Sequence, residues 1–299
     1  MINFVGRSKI WVSISAVIAA VGIVALFMWG LNLSIDFTGG SLMEITFENG
    51  RPEMNKVSSL VQDSGISNSQ LQPTGDSGYI IRSETITEAQ HQQILSKLKE
   101  GLPDNQFRED RFESIGPVIG NELKTKSIWS IMIVLLAIIV YIAYAFRKVS
   151  KPVPSWMFGV AAIIALIHDL VIVIGLYAII SHFTGWGVDS LFITALLTIL
   201  GFSVHDTIVT FDRTRETLRR ADIDDFDEVV NTSINATLSR SINASLTTLL
   251  VLLAIFFFGG DTIKHFITTL IMGIIIGTYS SIFIASPILV FWNKSRKNS

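Results

Sequence analysis

No cysteine occurs in this chain of 299 residues. That absence excludes a disulfide scaffold in any part outside the cytoplasm, and it excludes thiolate metal sites throughout. Charge is scarce too, at 16% of residues against roughly 25% in an average soluble domain. No phosphate-binding loop ending in Gly-Lys-Ser/Thr is present, so the chain itself is not expected to hydrolyse ATP. The acidic stretch with Asp222, Asp224, Asp225, Asp227 and Glu228 lacks the turn glycine and the terminal bidentate glutamate of a calcium loop. A helix capped by Asp225 is the expectation there, with Phe226, Val229, Val230 and Ile234 lying on the membrane surface.

What the chain has in quantity is hydrocarbon. Mean hydropathy is +0.52. Six apolar runs follow one another: Ile10 to Leu31, Ile128 to Phe146, Trp156 to Ile180, Leu191 to Phe211, a run ending at Phe258, and Phe266 to Trp292. About 20 helical residues span ~30 Å of hydrocarbon, and most of these runs reach that length. The fifth does not, because its apolar core, Leu246 to Phe258, is too short unless the helix extends back through Ser245, Asn243 and Arg240.

Basic residues in the short connections set the orientation. Arg7 and Lys9, then Arg147, Lys148 and Lys151, then Arg213, Arg215, Arg219 and Arg220, then Lys294, Arg296 and Lys297 all fall on one side. The opposite connections, 181–189 and 259–265, carry only Lys264. Both termini are therefore expected in the cytoplasm. The first run begins like a signal peptide, but it is longer than the usual apolar region and has no small-residue cleavage site, so it reads as an uncleaved anchor.

The expected architecture is a polytopic α-helical membrane protein: six transmembrane helices with one extracytoplasmic α+β (ferredoxin-like) domain between helices 1 and 2. Residues 1–31 form the tail and first helix, 32–126 the external domain, and 127–299 a five-helix membrane domain with a cytoplasmic loop at 212–238. In the external part, Ser41 to Phe47 alternates like a strand and Met54 to Val61 has helical spacing. Gln70 to Gln72 and Gly78 to Arg82 flank a turn at Pro73-Thr74-Gly75-Asp76; Thr87 to Leu98 reads as helix, stopped by Gly101 and Pro103, and Gln106 to Ile115 as strand. The order β-α-β-β-α-β implies a split unit with helices on one face of the sheet and the other face open to an extended chain. Between Asn32 and Lys126 fourteen acidic residues oppose nine basic ones, which disfavours nucleic acid as a partner.

Asp206 lies inside the fourth run, and a carboxylate in hydrocarbon costs ~3 kcal/mol or more unless it faces protein, pairs, or carries a proton. It precedes Phe211 by five residues, which puts it ~8 Å inside the cytoplasmic boundary. Arg240 enters from the same side on the next helix, with Asn243 and Thr247 three and seven residues further along one face. Paired with Arg240, Asp206 would stay ionised; separated from it, the acid would take up a proton. Two His-Asp dipeptides, His168-Asp169 and His205-Asp206, serve either as packing glue or as supporting titratable groups. Adjacent residues diverge by ~100° on a helix, so at most one of each pair faces a shared site, which argues against a metal centre or an intramembrane hydrolase. Gly273, Gly277, Ser281 and Ala285 form a small-residue stripe for close helix packing.

Several motifs together resemble the SecD/SecF family of protein-export subunits, within the resistance-nodulation-division superfamily. They are Ile35-Asp36-Phe37-Thr38-Gly39-Gly40, Ala165-Leu166-Ile167-His168-Asp169, and Gly201-Phe202-Ser203-Val204-His205-Asp206-Thr207 running into Phe211-Asp212-Arg213-Thr214-Arg215-Glu216. Leu238-Ser239-Arg240-Ser241-Ile242-Asn243 and Phe256-Phe257-Phe258-Gly259-Gly260 complete the set. The resemblance covers essentially the whole chain. It implies a non-enzymatic subunit of the bacterial cytoplasmic membrane, partnered by SecD and a SecY-containing translocon. It also implies that unfolded preprotein is the cargo, the lipid bilayer the setting, and protons the coupling ion, with no bound cofactor. Asp206 and Arg240 match the family's proton-relay positions, and Asp36, Gly39, Gly40, Gly259 and Gly260 its sequence signature. Position 205 departs from the family pattern, which has Asn before this Asp. The alternative is a proton-coupled exporter of small molecules or lipids on the same superfamily fold.

Overall fold

The computed structural model describes residues 1–66, 68–147, 153–220 and 225–297. Lys148, Lys151, Asp222 and Asp224, invoked above, lie outside the described residues, as do the side chains of Arg220 and Lys297. In chain order the elements are α1 (Ser8–Trp29), α2 (Ile35–Thr38), β1 (Gly40–Phe47), α3 (Met54–Asp63), β2 (Ser69–Thr74), β3 (Gly78–Ser83), α4 (Glu88–Gly101) and β4 (Phe107–Ile115). There follow α5 (Pro117–Ala145), α6 (Ser155–Thr184), α7 (Ser190–Arg220), α8 (Phe226–Phe258), α9 (Asp261–Ser280), a π-turn (Ser281–Ala285) and α10 (Ser286–Lys297). Two compact units result: Asn32–Ile128 with Gly187–Ser190, and Met1–Leu31 with Trp129–Trp186 and Leu191–Ser299.

The smaller unit holds a four-stranded antiparallel sheet in the order β2-β3-β1-β4, the arrangement of a ferredoxin-like split unit. Alternation in β1 sends Met43, Ile45 and Phe47 into one core with Val57 and Val61 of α3 and Ile94 and Leu98 of α4. Each such side chain contributes roughly 1.5–3 kcal/mol by leaving water. The reverse face is polar: Arg111 pairs with Glu113 at 2.7 Å, and Arg82 donates to Gln72 at 2.9 Å. Thr87 starts α4 with a reciprocal capping box to Gln90.

Two local expectations change. Pro73 and Thr74 belong to β2, opposite Tyr79 and Gly78, so the turn begins only at Gly75. Pro73 is tolerated because β2 is an edge strand, where a missing N–H need break no ladder bond. Gly101 ends α4 from inside its last turn, where an added Cβ would lie 2.4 Å from a Leu60 methyl of α3.

Among the described residues six helices are long and apolar enough to cross a membrane, the last running through the π-turn from Thr262 to Arg296. That turn ends two residues before Pro287, which lacks an N–H and would crowd the carbonyl four residues back in a regular helix. The stripe on the last helix packs as expected: Cβ atoms added at Gly273 and Gly277 would strike Ile199 and Ser203 of α7 at 2.1 and 2.9 Å. A second close approach joins α1 to α6, where a Cβ on Gly175 would come within 2.4 Å of the Gly22 Cα.

The expected loop at 212–238 is mostly helix. Residues 212–220 continue α7, supported by Arg213–Glu216 and Arg215–Asp212 pairs, and 226–238 open α8. Asp225 caps α8 by accepting from the Asp227 N–H. Phe226, Val229, Val230 and Ile234 do not lie on a membrane surface. They are buried, Phe226, Val230 and Ile234 in a core with Phe4, Val5, Phe158 and Phe211, because the tail before α1 folds over them and Asn231 accepts from the Phe4 N–H.

Candidate functional site

Asp206 is buried on α7, facing α8. Its Oδ1 accepts from the Ser241 hydroxyl at 2.5 Å, whereas Oδ2 has no hydrogen-bond partner among the described residues. The two helices run antiparallel, and the same seam continues through Thr210 opposite Thr237 at 3.4 Å and Thr217 opposite Ser233 at 3.2 Å. Ser233, Thr237, Ser241 and Ser245 recur every four residues on α8 and are all buried. Small hydroxyl side chains fit here because each can donate to a carbonyl of its own helix while its oxygen faces the neighbour, as Thr210 does to the Asp206 carbonyl. Ser245 also meets Thr278 of α9 at 2.5 Å.

Arg240, one position before Ser241, falls on a different face. It is exposed, and no ion pair joins it to Asp206 among the described residues. Asn243 and Thr247 share its exposed face, so the polar seam expected from 240, 243 and 247 is not the buried one. The cause is helical rotation, since consecutive residues differ by ~100°. Arg240 instead helps line an open cavity of about 690 Å³, along with Tyr141, Asp212, Arg213, Glu216 and Thr237. Thr237 belongs to both features, so the cavity reaches the hydroxyl seam. His205 is exposed, while its neighbour Asp206 is buried.

A second acid lies deeper in the same unit. Asp169 of α6 is fully buried, and both its oxygens are engaged: Oδ1 with His168 Nδ1 at 2.9 Å, Oδ2 accepting from Ser203 of α7 at 2.6 Å and Ser280 of α9 at 2.8 Å. His168 Nε2 contacts the Ser15 hydroxyl of α1, so both members of this His-Asp pair enter one cluster, contrary to the expectation that at most one would: the imidazole reaches back to the adjacent carboxylate across the ~100° between them. One turn on, Thr207 and Ser281 bond at 2.9 Å, and Ser281 also reaches the Ser203 carbonyl. Among the described residues no cluster of three or more metal-ligating side chains is present.

Four of the five signature residues, all but Gly260, have structural jobs. Asp36 Oδ2 accepts from the Ser190 N–H at 2.9 Å and so caps the start of α7. Backbone bonds from Ser34 to Val188 and from Val188 to Asn32 hold that capping segment in place. Gly39 and Gly40 have φ of 72° and 125°, and a Cβ at either would come within 2.7 Å of Pro117 Cα or 2.6 Å of the Ser83 oxygen. At Gly259 a Cβ would meet the Ile255 carbonyl at 2.3 Å, whereas Gly260 has open space beside it. The residues missed from sequence are Ser203, Ser241 and Ser280, together with the bonding partners of Ser281. The four-residue spacing from Ser233 to Ser245 was the available signal.

Comparison with known proteins gives consistent findings. The family "Protein export membrane protein SecD/SecF, C-terminal" matches residues 94–295, and the SecD/SecF GG motif matches residues 24–50. The protein translocase subunit SecF of Thermobaculum terrenum is 41% identical, over 98% of this chain and 94% of its own. That of Anaerolinea thermophila is also 41% identical, with the same coverage. Among solved structures, the translocon-associated membrane protein SecDF of Thermus thermophilus is similar over 100% of this chain at 32% identity and a TM-score of 0.84. A super-membrane-facing form of SecDF gives a TM-score of 0.69 at the same identity. This chain spans 39% of each of those solved chains.

Proposed function

Because the chain belongs to the SecD/SecF family of protein-export membrane proteins, we propose that it works as an auxiliary subunit of the Sec translocase, beside SecD, drawing on the proton-motive force to promote preprotein movement through a SecY-containing channel. Its membrane is the bacterial cytoplasmic membrane, both termini face the cytoplasm, and residues 32–126 lie outside. The observation that carries the proton coupling is Asp206: a buried acid with one serine donor, one unpartnered oxygen, and a hydroxyl seam reaching a cavity lined by Arg240.

A proton has room on Asp206 Oδ2 while Arg240 is turned away toward the cavity. Movement of α8 that brings the guanidinium to the carboxylate would replace that proton with a fixed cation, and the charge exchange ties proton release to helix position. Arg240, Asn243, Thr247 and His205 are exposed on membrane-spanning helices, where lipid solvates such groups poorly. A neighbouring membrane protein that covers them accords with the SecD partnership.

The test is proton-driven stimulation of preprotein export in membrane vesicles containing SecD. Asp206→Asn and Arg240→Met are each expected to abolish stimulation while insertion and SecD binding persist. Normal stimulation in both variants refutes the relay.

A further inference from the structure

We infer that His168 and Asp169 form a second proton-binding site, one helical turn from Asp206, whose charge state is read by α7 and α9 through Ser203 and Ser280. The inference rests on the reading of Asp206 as the relay acid, and it concerns a different group. Asp169 lies fourteen residues after Ser155 and fifteen before Thr184, so it is roughly 21 Å from either end of α6 at 1.5 Å per residue. It therefore stands at the midpoint of α6.

The groups facing this carboxylate are few. From α6 comes His168, from α7 Ser203, from α9 Ser280; behind His168 stand Ser15 of α1 and Tyr279, whose hydroxyl donates to the Trp11 carbonyl. Among the described residues no lysine or arginine bonds to Asp169. An ionised Asp169 beside a neutral His168 would leave a net charge of one in the middle of the bundle, an expensive state in a low-dielectric interior. One added proton makes the pair neutral wherever it resides. On Nε2 it gives an imidazolium beside a carboxylate; transferred through Nδ1 to Oδ1 it gives neutral imidazole beside carboxylic acid. The 2.9 Å contact connects the two forms without moving a heavy atom.

The readout follows from the same bonds. A carboxylate at Asp169 accepts strongly from Ser203 and Ser280 and so holds α7 and α9 against α6; with the added proton transferred to Oδ1, the neutral acid holds them weakly. Ser203 is three residues, ~4.5 Å along the axis, from Asp206. Ser280 immediately precedes the π-turn, where the extra backbone residue offers α9 a place to change its winding. Protonation of the pair is therefore mechanically connected to the helix that carries the relay acid.

The test uses the chain with its SecD partner in lipid vesicles and infrared difference spectra between acid and alkaline buffer. In Asp206→Asn, a carboxyl or imidazolium band should still titrate, be lost on adding Asp169→Asn, and return at a shifted frequency with Asp169→Glu. Absence of any titrating band in Asp206→Asn that responds to Asp169 substitution overturns the second site. The reading of Asp206 stands or falls separately, on the band lost from the unsubstituted protein when only Asp206→Asn is made.

Discussion

Replacing Asp36 separates two contributions that a helix cap combines. Asp36 Oδ2 accepts from the Ser190 N–H at 2.9 Å, and the side chain is buried. Asp36→Ala removes the acceptor and the negative charge together. Loss of a cap costs about 1 kcal/mol, with a range of roughly 0.5–2, and loss of a carboxylate at a helix N-terminus a further ~0.3–1. A combined loss of about 1.3–2 kcal/mol corresponds to roughly 9- to 30-fold faster opening of the first turn of α7. Asp36→Asn keeps an acceptor and loses only the charge, so its opening should rise about 2- to 5-fold. Amide hydrogen exchange of the first turn after Ser190, in the chain bound to SecD, measures both. Equal exchange in the Ala and Asn variants would show that the bond to Ser190 contributes nothing, and wild-type exchange in both would remove Asp36 from the cap altogether.

Two further outcomes follow from other contacts. Gly175→Val should separate α1 from α6, because its Cβ would start 2.4 Å from the Gly22 Cα and backbone cannot yield as a side chain does; overpacking of this kind costs about 1–3 kcal/mol and should lower the thermal midpoint of the detergent-solubilised protein. In the external unit, hydrogen bonds from Gln92 and His91 hold the Glu88 carboxyl below its ordinary range. Its contribution to stability is therefore complete above the ordinary carboxylate range and is lost as pH falls through the lowered value, so Glu88→Gln should flatten the acid limb of α4 protection measured by hydrogen exchange.

The fold was largely legible because its determinants are repetitive. Alternation in Ser41 to Phe47, helical spacing in Met54 to Val61 and Thr87 to Leu98, and six apolar runs each repeat a local rule, and the structure has an element in each place. The departures come where a long-range contact overrides local chemistry. Pro73 looked like a turn because its own backbone favours one, yet pairing with Tyr79 keeps it in an edge strand. Phe226, Val229, Val230 and Ile234 looked like a surface-lying stripe because an amphipathic face does not say what covers it. Here part of the cover is a tail more than two hundred residues away, anchored by Asn231 and Asn235 to the backbone around Ile2 and Phe4.

Asp206 stood out in the sequence as an acid inside an apolar run, and the side chain that bonds it did not. Charge draws attention to Arg240, but Ser241 donates to the acid, and ~100° of rotation separates the two. Serine is inconspicuous in a sequence because a single hydroxyl carries no charge and little area. Only its recurrence at 233, 237, 241 and 245, with threonine at 237, marks a buried polar face. Asp169 shows the same bias, since its adjacent histidine is visible in the sequence whereas Ser203 and Ser280 come from other helices. The two faces of α8 consequently have different surroundings. The serine face packs against α7 and α9 of this chain, while the arginine face, one residue away and turned by ~100°, is exposed beside the cavity that Thr237 shares with the seam.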